Sequence, residues 1–276
     1  MERIQQALDK AKEERSRIAG TEGTAPPALT PTTEIESGGK IQYNQTRSFT
    51  VSANKLQQMR IVKGLAQGVV TDAYNMLRTQ VLQKMQQNNW KTLAITSPGQ
   101  GEGKSLTAIN LAISIAMEVH TTVLLVDADL RHPSIHQYFG MGTCAGLSNY
   151  LLEDKPLESM LVNPAGIERF ILLPGGQAMQ NSAEMLNSPK MKRLVNEFSN
   201  RYPNRIIIFD LPPILSTADA MAFSPFVDAA LLVIEEGKTS EEDLSRAISL
   251  LGKEKLLGTL LNKTYLSKQT LQNAYG

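Results

Sequence analysis

The sequence predicts an α/β fold, a mostly parallel twisted sheet with helices on both faces. Three observations carry that expectation. Short, continuously apolar runs recur from Lys91 onward, helical patterns lie between them, and the residues of unusual chemistry fall just after the apolar runs. Continuous apolar runs imply strands buried on both faces, and their alternation with helices implies parallel pairing through crossovers. Ligands of such sheets bind at the carboxyl ends of the strands.

Residues 1–18 read as a short helix, with Ile4, Leu8 and Ala11 on one face and Lys10, Lys12, Glu13, Glu14 and Arg15 covering the rest. A helix of that length needs a docking surface to persist. Residues 19–60 read as a linker, Thr- and Pro-rich in part: no apolar period survives over Gly20–Lys40, and the signal from about 41 to 60 is mixed. The main domain is expected over 61–263. It opens on a helix from Asp72 to Met85, where Tyr74, Leu77, Val81 and Leu82 recur at helical spacing. Strands are expected at Thr92–Ser97, Val123–Asp127, Phe170–Leu173, Ile206–Asp210, Ala229–Ile234 and Leu257–Leu261, with helices at Ser105–Glu118, Pro189–Tyr202 and Ser240–Leu251. Residues 264–276 form a tail.

Composition narrows the function. Of 276 residues, 28 are basic and 27 acidic, a formal charge of +1. A dedicated nucleic-acid binder shows a strong basic excess, so none is expected here. The single cysteine, Cys144, has no partner for an intrachain disulfide, which suits a reducing compartment. No run approaches ~18 uninterrupted apolar residues, so no membrane-spanning helix is expected. The polar start Met1-Glu2-Arg3-Ile4-Gln5-Gln6 lacks the apolar core of a signal peptide. The expected location is therefore the cytoplasm.

Three strand ends carry chemistry. Ser97-Pro98-Gly99-Gln100-Gly101-Glu102-Gly103-Lys104-Ser105 joins a strand to a helix. It has the character of a Walker A loop, in which backbone N–H groups turn inward toward phosphates. Lys104 would reach the β- and γ-phosphates and the Ser105 hydroxyl would bind Mg²⁺; Leu106 follows in the same turn. The first glycine comes one place late, at Gly99, where the strict pattern wants it at Pro98. The fold expected is thus that of a P-loop NTPase. The second strand ends in Asp127-Ala128-Asp129-Leu130-Arg131. Alternate carboxylates at a strand tip can share one metal or divide into metal ligand and base, and Arg131 would neutralise phosphate charge. The third is Ile206-Ile207-Ile208-Phe209-Asp210-Leu211-Pro212-Pro213, which places Asp210 where a Walker B aspartate holds the Mg²⁺ shell. Asp219, a little further on, reads as a helix cap.

Together these motifs resemble the bacterial tyrosine kinases, P-loop proteins that autophosphorylate on tyrosine and regulate polysaccharide synthesis and export. The resemblance runs from about residue 70 to 263. It takes in Gly146-Leu147-Ser148, Leu173-Pro174-Gly175-Gly176 and Leu261-Asn262-Lys263. The leader helix, the linker and the run Ala108-Ile109-Asn110-Leu111-Ala112 look most like the exosortase-associated tyrosine autokinases. The resemblance implies ATP and Mg²⁺ as cofactors. It implies Gly99, Gln100, Gly101, Glu102, Gly103, Lys104, Ser105 and Leu106 around the phosphates, with Asn262 reading adenine. Lys104, Asp127, Asp129 and Arg131 would be catalytic, Asp127 as the base, and Ser105, Asp129 and Asp210 would hold the metal. It also implies self-association and a membrane chain-length regulator as activating partner, which would hold the protein peripherally at the inner membrane.

Two places depart from that family. Its E-x-x-R-x-x-R helix, which packs subunits into a ring, is here Asp72, Asn75 and Arg78, and only Arg78 matches. Its tyrosine cluster shrinks to Tyr265 and Tyr275. Thirteen residues remain after Lys263 (276 − 263), a reach of ~40 Å when extended, and Tyr275 near the end is the expected acceptor. His120, His132 and His136 lie close in sequence, but Pro133 intervenes and no third ligand completes a zinc signature. Two other functions fit the P-loop: a nucleotide-binding scaffold without phosphotransfer, and a partition or septum-site ATPase. The latter carries an extra lysine at the position of Gly99.

Overall fold

Among the described residues the six apolar runs and two three-residue strands form an eight-stranded sheet in the order β1-β4-β5-β3-β6-β2-β7-β8. Its strands are β1 (Arg47–Phe49), β2 (Thr92–Thr96), β3 (Thr122–Asp127), β4 (Val162–Pro164), β5 (Phe170–Leu173), β6 (Arg205–Asp210), β7 (Ala229–Glu235) and β8 (Leu256–Asn262). The computed structural model describes residues 46–65, 68–153 and 155–264, all within one compact unit, Ile41–Gly276. The helix expected over 1–18, the first part of the linker and the tail with Tyr265 and Tyr275 lie outside the described residues. Every strand pair is parallel except β4 with β5.

The central strands are buried on both faces because helices cover both. One layer of core joins Val126, Phe209, Leu232, Leu194 and Phe198. The other joins Leu93, Ile95, Leu125, Ile208 and Leu231 to Ile109, Leu111 and Ile113. Each such side chain contributes about 1.5–3 kcal/mol on burial. The helix after the glycine loop, Lys104–Ala116, is buried along nearly its whole length. Helix Pro189–Arg201 starts with proline in its first turn, and Ser188 Oγ accepts the Met191 N–H as its cap. Helix Glu241–Leu251 opens on Glu241, Glu242 and Asp243, acids suited to the positive end of the dipole, and Ser240 Oγ accepts the Asp243 N–H.

The span 19–60 is not linker to its end. β1 pairs with β4, and Ala53–Gln58 forms a helix. Leu56, Ile61 and Val62 are buried in the second core layer. A six-residue helix shows too little period to be read from sequence, and its three apolar anchors lie in a stretch of mixed signal. What holds it is Asn110, deep in helix Lys104–Ala116. Its Oδ1 accepts the Val62 N–H at 3.0 Å, and its Nδ2 donates to the Arg60 carbonyl at 3.0 Å. The long helix before the sheet runs from Val69 to Gln87. Arg78 on it pairs with Glu118 at 3.1 Å and donates to the Ser114 carbonyl, while Asn75 Oδ1 accepts from Ser114 Oγ. Both residues are spent within the chain.

Candidate active site

The tips of β2, β3 and β6 converge because their registers are level. Asp127 and Asp210 are paired positions on adjacent parallel strands, so both side chains leave the same face of the sheet. The glycine loop follows β2 directly beside them. Gly101 and Gly103 have φ of +79° and +95°, and a Cβ at Gly103 would collide with Asn262 Nδ2. Glycine is required there by conformation and by space alike.

Lys104 sits at the centre. Its Nζ lies 2.8 Å from Asp129 Oδ2, 3.5 Å from Asp210 Oδ1 and 3.2 Å from Ser105 Oγ. Burial acts to lower its pKa, but Asp210 and Asp129 outweigh burial and hold it protonated well above the usual lysine range. Asp129 is held at both ends, since its Oδ1 also accepts the His132 N–H.

Asp127 is fully buried. Its Oδ2 accepts the N–H groups of Ser134 and Ile135, both at 2.9 Å, while Oδ1 has no hydrogen-bond partner. Burial, then repulsion from Asp210, raises its pKa to about 7. Asp210 is raised too, first by burial, with Lys104 and Ser105 opposing. Neither Asp210 oxygen has a partner of hydrogen-bonding geometry. Three buried carboxylates thus face one ammonium. That surplus of negative charge, with orphaned carboxylate oxygens, fits a divalent cation. Among the described residues no three His, Cys, Asp or Glu side chains form a metal group by themselves. Mg²⁺ is commonly held by one or two carboxylates together with phosphate oxygens and water, and Asp129 and Asp210 beside the Ser105 hydroxyl fit that donor set.

A second loop closes over Asp127. Gly175, in Leu173-Pro174-Gly175-Gly176, approaches so closely that a Cβ would lie 3.2 Å from Asp127 Cγ and 2.7 Å from Pro133 Cβ. The Leu147 and Ser148 N–H groups donate to the carbonyls of Pro174 and Gly175, which fixes the loop.

Glu102, 2% exposed, turns its carboxylate away from the site. Oε2 accepts the Gly99 N–H and Oε1 accepts Thr239 Oγ1, so the side chain staples the loop and occupies the Gly99 amide. Gln100 is exposed, and Leu106 is half-buried in the first turn of the helix. Asn262 Nδ2 donates to the Glu102 carbonyl at 2.9 Å. Arg131, 31% exposed at its side chain, is tied through Nε to Asp219 Oδ2 at 3.1 Å. Asp219 is more than a helix cap: it is wholly buried at the first residue of helix Asp219–Phe223. A partner across 88 residues leaves no local mark in sequence, and the same is true of Thr239, Lys238 and Lys263 around the loop. His132 and His136 form no metal group.

The family model described as "ParA: NUBPL iron-transfer P-loop NTPase" matches residues 88–274. The tyrosine-protein kinase YwqD of Bacillus subtilis is 36% identical over 225 residues, 81% of this chain and 93% of that one. The putative tyrosine-protein kinase CapB of Staphylococcus aureus is 30% identical over 73% of this chain and 87% of its own. Among solved structures, the kinase domain of the Escherichia coli tyrosine kinase ETK superposes with a TM-score of 0.66 at 28% identity, covering 72% of this chain and 78% of that one. With a nucleotide-binding loop beside three strand-end carboxylates and relatives of this identity and coverage, the chain belongs to the bacterial tyrosine kinases within the P-loop NTPases.

Proposed function

We propose that this chain is an ATP- and Mg²⁺-dependent protein-tyrosine autokinase that regulates exopolysaccharide synthesis, chain length or export. The observation that carries the residue roles is the pairing of Lys104, held between Asp129 and Asp210, with an Asp127 whose free Oδ1 has a pKa of about 7.

Each group then has a task. The N–H groups of the glycine loop and Lys104 bind the β- and γ-phosphates of ATP. Ser105, Asp129 and Asp210 would hold Mg²⁺, which supplies charge neutralisation on those phosphates. A tyrosine phenol, with pKa near 10, is a weak nucleophile at neutral pH. Asp127 Oδ1 accepts its proton as the phenol oxygen bonds to the γ-phosphorus and the bridging bond to ADP breaks. A base with pKa near the working pH suits that transfer. Arg131, held by Asp219, would neutralise phosphate charge, and the missing side chain at Gly175 leaves room for the Asp127 carboxylate. Tyr275 is the proposed acceptor.

Recruitment to the inner membrane is assigned to a chain-length regulator as partner. No helix among the described residues is long and apolar enough to cross a membrane. Iron carriage, named in the family description, has no support in this sequence. The chain has one cysteine, so even a pair of chains offers two thiolates where iron–sulfur clusters usually take four ligands.

The test is phosphotyrosine formation by the purified chain with ATP and Mg²⁺, with and without its membrane partner. Lys104→Met should abolish it. Asp127→Asn should lower turnover by about 10²-fold or more while retaining ATP binding. Wild-type turnover in Asp127→Asn removes the base assignment, and no incorporation in the wild type with its partner present favours the nucleotide-binding scaffold.

A further inference from the structure

Three consecutive peptide groups of the glycine loop are each held from behind by a side chain. Lys238 Nζ donates to the Gln100 carbonyl at 2.7 Å, Lys263 Nζ to the Gly101 carbonyl at 2.7 Å, and Asn262 Nδ2 to the Glu102 carbonyl at 2.9 Å. The three donors come from two places, the loop after β7 and the end of β8. Glu235 joins them: its Oε2 lies 3.3 Å from Lys238 Nζ and 3.0 Å from Lys263 Nζ. The Glu236 N–H donates to the Asn262 carbonyl, which locks the two segments together. Lys263 adopts φ of +58°, a left-handed conformation uncommon for a residue with a side chain, which turns the chain at the strand end.

A planar trans peptide points its N–H opposite to its C=O. Among the described residues no peptide bond is cis. Holding the carbonyls of Gln100, Gly101 and Glu102 outward therefore aims the N–H groups of Gly101, Glu102 and Gly103 to the other side of the loop, where the phosphates bind. Hydrogen bonds that run through one peptide group also polarise one another, so an ammonium on the carbonyl strengthens the N–H as a donor.

We propose that Lys238, Asn262 and Lys263 are positioning residues that aim and polarise three successive N–H groups of the loop at the nucleotide phosphates. The proposal rests on the loop being the nucleotide site. It gives Asn262 a task on the loop instead of on adenine, and it gives the two lysines a task that no catalytic motif assigns. Glu235 keeps both ammonium groups on the carbonyls and limits their direct approach to the phosphates.

Binding distinguishes this from base recognition. Calorimetric titrations with Mg²⁺–ADP and with Mg²⁺–pyrophosphate, which has no base, are run on the full-length chain. The variants are Lys238→Met with Lys263→Met, Asn262→Ala, and Lys238→Arg with Lys263→Arg. The lysine side chains are 50% and 47% exposed, so the fold survives their replacement. The double methionine variant should bind both ligands roughly tenfold more weakly, the sum of two modest hydrogen-bond losses. Asn262→Ala should weaken both ligands by an equal factor, and the arginine pair should restore affinity. Unchanged pyrophosphate affinity in the double methionine variant overturns the lysine assignment. Loss of ADP affinity alone in Asn262→Ala returns that residue to the base. Because the readout is equilibrium binding, a chain that binds ADP but transfers no phosphate would sink the kinase reading and leave this one standing.

Discussion

At the scale of single residues, the site is governed by what burial does to charge. Asp127 and Asp210 are taken out of water with only Lys104 to balance them and Asp129. The consequence is measurable in the protein free of nucleotide and magnesium. Asp127 titrates near 7 in the fold against 3.8 ordinarily. Between those values the folded protein holds a proton that the unfolded chain has released. Stability therefore falls as pH rises through that window, and the cost is fully present above it. Asparagine has nothing to titrate, and its side-chain oxygen still accepts the Ser134 and Ile135 N–H groups. Asp127→Asn should melt above the wild type at pH 8, with the gap shrinking toward pH 5. A gap that widens toward acid would mean Asp127 is charged and stabilised in the fold. At the same scale, Gly175→Ala should slow phosphotransfer by displacing Asp127 while leaving ADP affinity near that of the wild type. Equal rates would mean the loop yields without moving the carboxylate.

At the scale of elements, what sequence revealed depended on length and on separation. Strands β2, β3, β5, β6, β7 and β8 stand within a residue or so of expectation, because each is a continuous apolar run bounded by polar residues. The three-residue strands β1 and β4 offer no period to read, and they pair only because the chain returns across more than a hundred residues. The site divides in the same way. Lys104, Asp127, Asp129 and Asp210 were legible because each ends an apolar strand or begins a helix. The ties that hold them, Arg131 to Asp219, Glu102 to Thr239 and Lys263 to Gly101, join residues distant in sequence and carry no local mark. Asn110 is the element-scale counterpart, since it fastens Arg60–Val62 to the helix behind the glycine loop. Asn110→Ala leaves a buried N–H and a carbonyl without partners, a cost of about 1–3 kcal/mol for each group so orphaned. Chemical denaturation should show a loss of about 2–6 kcal/mol for the two groups together, and ADP affinity should hold because the loop's own ties are intact. A loss of a few tenths of a kcal/mol would mean the segment contributes little to the domain.

For the whole molecule, the proposed transfer between copies depends on how an acceptor reaches Asp127. Asp127 is fully buried at the end of β3, with the Gly175 loop packed against it, so an acceptor tyrosine reaches it only if that loop yields. β8 ends at Asn262, and Lys263 is fastened to the glycine loop. The thirteen residues 264–276 span ~40 Å when extended. Removing residues 265–276 takes away Tyr265 and Tyr275 but none of the contacts made by Asn262 and Lys263. The truncated chain should therefore melt and bind ADP like the full-length protein. It should take up no phosphate itself, yet phosphorylate a full-length Lys104→Met copy, which presents a tail but cannot catalyse. Adding Tyr275→Phe to that acceptor copy should remove most of the label. Full labelling of the truncated chain would place the acceptor before residue 265, and labelling that survives Tyr275→Phe would move it to Tyr265 or out of the tail.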